Sequence, residues 1–317
     1  MPKVSVLIIT YNHARFIAQA IESALAQRTS FDYEIVIGDD CSTDGTREIV
    51  LDYARSHSDR IRTVLQKRNV GGCANGQATL AACNGEYIAH LEGDDYWTCD
   101  EKLEKQVALL ESRPESAGCF ARSTIVGPAG ELIASDYFSY YDTHPSDKRT
   151  EDIVPFGISP ANTMIFNRRI LATAPHWYRH YPTHCGLDLV ITLNGPYLFL
   201  NETVGAYRLH PNSDWSSKSL FRRLSSDLRY LKLLYDDSFM REKYGPAIRT
   251  HIQRSLDLMM NTSNWEEHFE AARYGFAFLA KRPWRGDLIL MGMKSATRRV
   301  LTAARRRREF FSPTTPR

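Results

Sequence analysis

Two adjacent carboxylates, Asp94 and Asp95, close the segment Glu92-Gly93-Asp94-Asp95, just after the apolar run Glu86-Tyr87-Ile88-Ala89-His90-Leu91. An acidic pair at the end of a buried strand is costly to leave bare, so a cation or a ring of hydrogen-bond donors should hold it. Mg²⁺ or Mn²⁺ suits that need, because both take hard oxygen ligands and commonly bridge carboxylates to phosphate oxygens. A solvated turn is the plainer reading of the same residues. A second pair, Asp39-Asp40, follows Glu34-Ile35-Val36-Ile37-Gly38. Thr43 and Asp44 are better placed to cap the next helix, which leaves both aspartates free to accept from a base N–H or a ribose hydroxyl. Gly71-Gly72, at another helix start, would permit close backbone approach and aim N–H donors at an anion.

The elements that must position these residues are legible from periodicity. Val4-Ser5-Val6-Leu7-Ile8-Ile9-Thr10 is a β-branched run ended by Tyr11-Asn12-His13, which predicts an inner strand entering a loop. Phe16, Ile17, Ala20, Ile21, Ala24 and Leu25 repeat at helical spacing. Strands are expected at Glu34 to Gly38, Ile61 to Leu65 and Glu86 to Leu91, with helices after Gly45 and after Gly71. Such alternation means right-handed β-α-β units and a mostly parallel, Rossmann-like α/β sheet flanked by helices. Ligands of such sheets sit beyond the carboxyl ends of the strands, where Thr10-Tyr11-Asn12, Asp39-Asp40 and Asp94-Asp95 all fall.

Residues 121–215 read as a less regular half, of the kind that builds a variable substrate side, completing a domain of residues 1–215 whose regular α/β half is residues 1–120. Strand-like pieces there (Ser123 to Val126, Asn162 to Phe166, Tyr197 to Leu200, Val204 to Arg208) flank a polar stretch from Asp136 to Asp152 with the character of a mobile loop. Residues 216–317 read as a helical extension, with Leu220, Leu224, Leu228, Leu231 and Leu234, then Ile248, Ile252, Leu256 and Met259, at helical intervals. The six cysteines have irregular spacing and no C-x-x-C, against a zinc site or disulfide framework. No apolar stretch is long enough to span a bilayer and the start lacks a secretory pattern. The expected location is cytoplasmic, with peripheral membrane contact through the tail as one option. Between Lys281 and Arg308 ten basic residues face one acid, Asp287, a pattern fitting either an anionic lipid surface or a solvated helix with a basic stub. No aromatic-basic interleaving or helix-turn-helix pattern favours nucleic acid.

Four segments taken in order resemble the signature of family 2 glycosyltransferases with the GT-A fold. They are Val4 to Asn12, Ile37-Gly38-Asp39-Asp40-Cys41-Ser42-Thr43-Asp44-Gly45-Thr46, Asn69-Val70-Gly71, and Gly85-Glu86-Tyr87-Ile88 with Asp94-Asp95. The resemblance implies a nucleotide-sugar donor (UDP-, dTDP- or GDP-linked), an inverting transfer and a bound Mn²⁺ or Mg²⁺. By the same likeness, Thr10 and Tyr11 flank the nucleoside and Asp40 accepts from the base. Asn69 and Gly71 belong to the donor side, Asp94 meets the ribose and metal side, and Asp95 holds the metal against the diphosphate. Cys41 departs from the small polar residue usual there, and Glu92-Gly93 departs from the usual lead-in to the acidic pair.

Cys185-Gly186-Leu187-Asp188-Leu189-Val190 is similar to the family's acidic motif at a helix start, which makes Asp188 the implied general base; a helix-terminal charge is the competing reading. Tyr207-Arg208-Leu209-His210 resembles a segment following the last catalytic strand, implying that His210 approaches the metal and Arg208 offsets leaving-group charge. His13, His90 and His184 read as surface or core residues. The acceptor would be a glycan, a lipid-linked saccharide or a small molecule. A catalytically silent nucleotide-sugar-binding module and a sugar nucleotidylyltransferase are the alternatives, the latter lacking its Gly-rich basic phosphate loop after the first strand.

Overall fold

The computed structural model describes residues 1–140, 146–156, 159–180, 184–213 and 218–262. The chain divides into two compact units, the first covering Met1–Ser213 and the second beginning at Asp214.

The first unit is built on one nine-stranded sheet. Its strands are β1 (Val4–Thr10), β2 (Tyr33–Asp39), β3 (Ile61–Leu65), β4 (Tyr87–Glu92), β5 (Tyr96–Trp97), β6 (Gly118–Val126), β7 (Leu132–Ala134), β8 (Ile165–Asn167) and β9 (Tyr197–Arg208). They lie in the order β3-β2-β1-β4-β8-β6-β9-β5, with β7 paired to β6. From β3 to β4 all pairings are parallel, as is β6 with β9, while β8 joins the two parts in antiparallel pairs. Helices α1 (Ile17–Leu25), α2 (Thr46–Ser56) and α3 (Gly72–Ala82) supply the crossovers, and α4 (Lys102–Ser112) follows β5. The inner strands carry Val, Ile and Leu on both faces, with Val4, Val6, Ile8, Ile35 and Ile37 fully buried, as a sheet covered on both sides demands. Ile17, Ala20, Ile21 and Ala24 form the face that α1 lays on this core.

Short helices α5 (Tyr137–Tyr140), α6 (Thr150–Phe156) and α7 (His176–His180) precede α8 (His184–Asn194). The stretch from Asp136 to Asp152 is therefore partly helical instead of a continuous loop: Asp136 Oδ1 accepts from the Phe138 backbone N–H and Asp152 Oδ2 from that of Arg149, both local bonds at helix starts. The two strand-like pieces at 197–200 and 204–208 are one strand, β9, whose register against β6 shifts near Arg122, so the exposed Asn201-Glu202-Thr203 interrupts the apolar pattern without ending the ladder.

In the second unit α9 (Leu220–Asp236) packs on α10 (Ser238–Thr262). Leu224, Leu228, Leu231 and Leu234 are buried on α9, and Ile248, Ile252 and Leu256 on α10. Among the described residues no helix is long and apolar enough to cross a membrane. The basic stretch from Lys281 to Arg308 lies outside the described residues.

Candidate active site

Parallel register places the carboxyl ends of β1, β2 and β4 side by side, with Thr10 opposite Asp39 and Ile9 opposite Glu92. Three loops leave this edge and are tied together. The Asp40 backbone N–H donates to Thr10 O at 3.0 Å, and that of Gly93 to Ile9 O at 2.9 Å. Asn12 N–H donates to Ser42 Oγ, Thr43 N–H to Asn12 Oδ1, and His13 N–H to Thr46 Oγ1, the last at 2.8 Å. Ala14 N–H adds a bond to Asp44 Oδ2. The loop carrying His13 is thereby fixed to the first turn of α2.

Gly93 sets the spacing between β1 and β4 at this edge. A methyl group there would stand 2.7 Å from Thr10 Oγ1 and 3.0 Å from His13 Nδ1, so a residue without a side chain is required by close approach.

Asp94 faces two histidines. Its Oδ2 lies 2.9 Å from His210 Nε2 and 3.7 Å from His13 Nε2. Among the described residues, His13, Asp94 and His210 form a group able to hold a metal ion, with all ligand atoms within 4.8 Å of one another. Donors sharing one ion at roughly 2.1 Å must lie within about 4.2 Å of each other, and both separations from Asp94 meet that limit. Four side-chain atoms along this edge are buried without a hydrogen-bond partner: Thr10 Oγ1, His13 Nδ1, Asp94 Oδ1 and Asp95 Oδ2. Native proteins seldom leave such atoms unsatisfied, so their concentration here makes this edge the candidate ligand or ion site.

The electrostatics separate the two acids. Burial pushes the Asp94 carboxyl upward, but the His210 hydrogen bond and the charges of His13 and His210 outweigh it and hold it below the usual carboxylate range. Asp95 is driven well above that range, first by burial and then by its neighbours Asp94 and Glu92. Burial lowers His13 despite the attraction of Asp94.

Several expected residues have partners other than those anticipated. The carboxylate facing the histidines is Asp94, one position before the Asp95 expected to hold the metal. Asp95 Oδ1 instead accepts the Arg208 backbone N–H at 2.8 Å, which secures the end of β4 to the end of β9. Arg208 is only 3% exposed. Its guanidinium donates to Asp94 O, Gly127 O, Pro128 O and Gln19 Oε1, and lies 4.8 Å from the Phe16 ring. With its nitrogens donating to these protein acceptors, Arg208 holds the backbone at Asp94 in place.

Neither aspartate of the second pair is free. Asp39 is ion-paired to Arg47 at 2.6 Å, and Arg47 also donates to Gln66 O. The oxygens of Asp40 accept from Val70 N–H at 2.7 Å and Gly71 N–H at 2.8 Å. A buried carboxylate recruits the nearest donors, so the Gly71 N–H expected to face an anion is already given to Asp40. Gly71 has φ of 89°, which lets the chain turn into α3 there. Tyr11 and Asn69 remain exposed beside this clasp.

Asp188 lies one turn into α8, not at its start, and is fully buried. Ser159 donates to it twice, from Oγ at 2.8 Å and from its backbone N–H at 3.2 Å, and Ser159 Oγ lies 3.0 Å from the Tyr197 hydroxyl. Burial and the Asp188 charge push Tyr197 far upward, so this hydroxyl stays protonated.

Sequence reasoning missed His13. The available signal was its position directly after Tyr11-Asn12 at the end of β1, the edge to which the acidic pairs also map.

Acidic and histidine side chains thus converge beyond the carboxyl ends of parallel strands, where α/β sheets place their ligands. The glycosyl transferase family 2 model matches residues 5–171. An uncharacterized protein of Mycobacterium tuberculosis is 33% identical over 226 residues, which is 69% of this chain and 62% of that protein, so the chain spans less than two thirds of this relative's length. Among solved structures, TarS of S. aureus in complex with UDP-GlcNAc superposes with a TM-score of 0.68 at 17% identity, covering 92% of this chain and 89% of that one. A mannosyltransferase from Pyrobaculum calidifontis, in complex with GDP-Man and Mn²⁺, gives a TM-score of 0.56 at 16% identity, covering 94% and 87% of the two chains. The chain belongs to glycosyl transferase family 2, and its fold is GT-A.

Proposed function

We propose that the protein is a metal-dependent, inverting glycosyltransferase that moves one sugar from a nucleotide-sugar donor to a hydroxyl of a glycan, lipid-linked saccharide or small molecule. The observation that carries this reading is the convergence of Asp94 and His210 beside the strand edge that bears Thr10 and Asp40. Family membership supports a nucleotide-sugar donor, UDP-, dTDP- or GDP-linked, and the UDP-GlcNAc of TarS and GDP-Man of the mannosyltransferase agree with the first and the last of these.

Asp94 and His210 fit a divalent ion: an anionic carboxylate with one buried unpartnered oxygen stands next to an imidazole. Mn²⁺ or Mg²⁺ held there would offset the charge of the departing diphosphate. Thr10 and Tyr11 border the nucleoside. Asp40 acts through the Val70-Gly71 backbone it clasps and through its unused lone pairs, which can accept from the base. Asp188 takes the acceptor proton as the hydroxyl oxygen attacks the anomeric carbon opposite the leaving group. Ser159 and Tyr197 hold that carboxylate in one orientation. Action at the cytoplasmic face of a membrane suits a lipid-linked acceptor and is part of the proposal.

The test is donor turnover with a panel of nucleotide sugars and Mn²⁺. Slow hydrolysis of one donor without acceptor is the expected result. Binding of a donor with no hydrolysis or transfer would identify a silent binding module instead.

A further inference from the structure

We propose that His13 is a third protein ligand of this metal site, making it a two-histidine, one-carboxylate centre that favours first-row transition ions over Mg²⁺. The inference rests on the reading of Asp94 and His210 as a metal centre and adds to it the residue that sets ion preference.

Three observations carry it. First, His13 Nε2 lies 3.7 Å from Asp94 Oδ2, within the separation allowed to two ligands of one ion, and the group of three is compact. Second, the imidazole is placed by backbone and not by chance packing. His13 N–H is fixed to Thr46 Oγ1, its two neighbours are tied to Ser42 and Asp44, and Gly93 leaves the space its ring occupies. Third, Asp94 Oδ1 is buried with no partner, and the His13 ring makes an edge contact with the His210 ring at 6.1 Å, so both imidazoles border the same acidic group.

Ligand chemistry then decides the ion. A site of carboxylates alone is satisfied by Mg²⁺, which takes oxygen ligands and keeps several waters. Two imidazoles shift the balance toward Mn²⁺, Co²⁺ or Zn²⁺, for which nitrogen is a good donor. Three protein ligands leave further coordination positions, and two diphosphate oxygens suit them.

The experiment uses the full chain with Mn²⁺ alone and then Mg²⁺ as competitor, read by pulsed EPR for nitrogen coupling and by titration for affinity. In the wild type, two imidazole nitrogens should couple to Mn²⁺. In His13→Gln, which keeps a polar side chain of similar reach, one should remain. Mn²⁺ affinity should fall about tenfold or more while Mg²⁺ affinity changes less than about threefold. Unchanged nitrogen coupling and unchanged Mn²⁺ affinity in His13→Gln would overturn the assignment while leaving the Asp94-His210 centre standing. Absence of any nitrogen coupling in the wild type, with Asp94→Asn equally without effect on Mn²⁺ binding, would remove the metal centre itself and this inference with it. If His13→Gln shows no cooperative melting, the wild-type nitrogen count decides: two supports the third ligand and one refutes it.

Discussion

Asp94 Oδ2 and His210 Nε2 are 2.9 Å apart across 116 positions of sequence. The pairing joins the segment after β4 to the segment after β9, strands that are not neighbours in the sheet. Arg208 makes it possible by donating to Asp94 O and presenting its own backbone N–H to Asp95. The fork on β9 thus holds the acidic corner of β4 in place, and the position of Asp94 depends on a residue that is itself buried.

Substitution Arg208→Lys should therefore act on folding. A lysine cannot reproduce the guanidinium's simultaneous bonds to Asp94 O, Gly127 O and Gln19 Oε1. The expected loss is about 2–4 kcal/mol in chemical denaturation, from charge-assisted bonds broken in a buried site. A variant of unchanged stability with weakened leaving-group chemistry would return Arg208 to the role expected from sequence.

Gly93→Ala should be destabilising out of proportion to its size. The added methyl would press on Thr10 Oγ1 and on His13. Overpacking of this kind costs about 1–3 kcal/mol. Thermal melting should show that loss, and nucleotide-sugar binding should weaken with it. A melting temperature equal to wild type would mean that β1 and β4 can separate here at no cost.

A different corner of the core supplies a pH signature. Lys102 is completely buried, its Nζ has no hydrogen-bond partner and lies 4.3 Å from the Trp97 ring, and burial lowers its pKa from the usual 10.5 to about 7. Between about 7 and 10.5 the unfolded chain holds a proton that the folded chain has released, so stability from this group rises with pH across that window. Lys102→Met, which keeps the apolar stem, should flatten that rise and stabilise the protein at and below neutrality. Parallel pH profiles of melting temperature for the two proteins would contradict it.

Much of the fold was legible because its inner strands are unambiguous. Val4 to Thr10, broken only by Ser5, and Ile35 to Ile37 are β-branched or aliphatic runs that a two-sided sheet buries, and each is followed by an amphipathic helix. The site was legible in its edge but not in its pairings. Periodicity places Asp40, Asp94 and Asp95 at strand ends. It cannot say which carboxylate oxygen meets which donor, and so it missed Arg47 against Asp39, the Val70-Gly71 clasp on Asp40 and the inward turn of Arg208. His13 was passed over because a single histidine after a strand carries no periodic signal; its meaning comes from Gly93 and His210, far away in sequence.

Asp188→Asn tests the base directly. The amide keeps the shape of the carboxylate, and its oxygen can still accept one of the two Ser159 bonds. Transfer should fall on the order of 10²- to 10⁴-fold while donor affinity stays within about twofold. Retained transfer would assign proton removal to another group and leave Asp188 as a structural partner of Ser159 and Tyr197.

The most direct measurement is calorimetric titration of UDP, dTDP and GDP into the full chain, with Mn²⁺ and again with chelator, for the wild type and for Asp94→Asn. One of these nucleotides should bind the wild type about tenfold or more tightly with Mn²⁺, and Asp94→Asn should abolish the metal-dependent gain. Binding of equal strength with and without Mn²⁺, or no binding of any of the three, would contradict it.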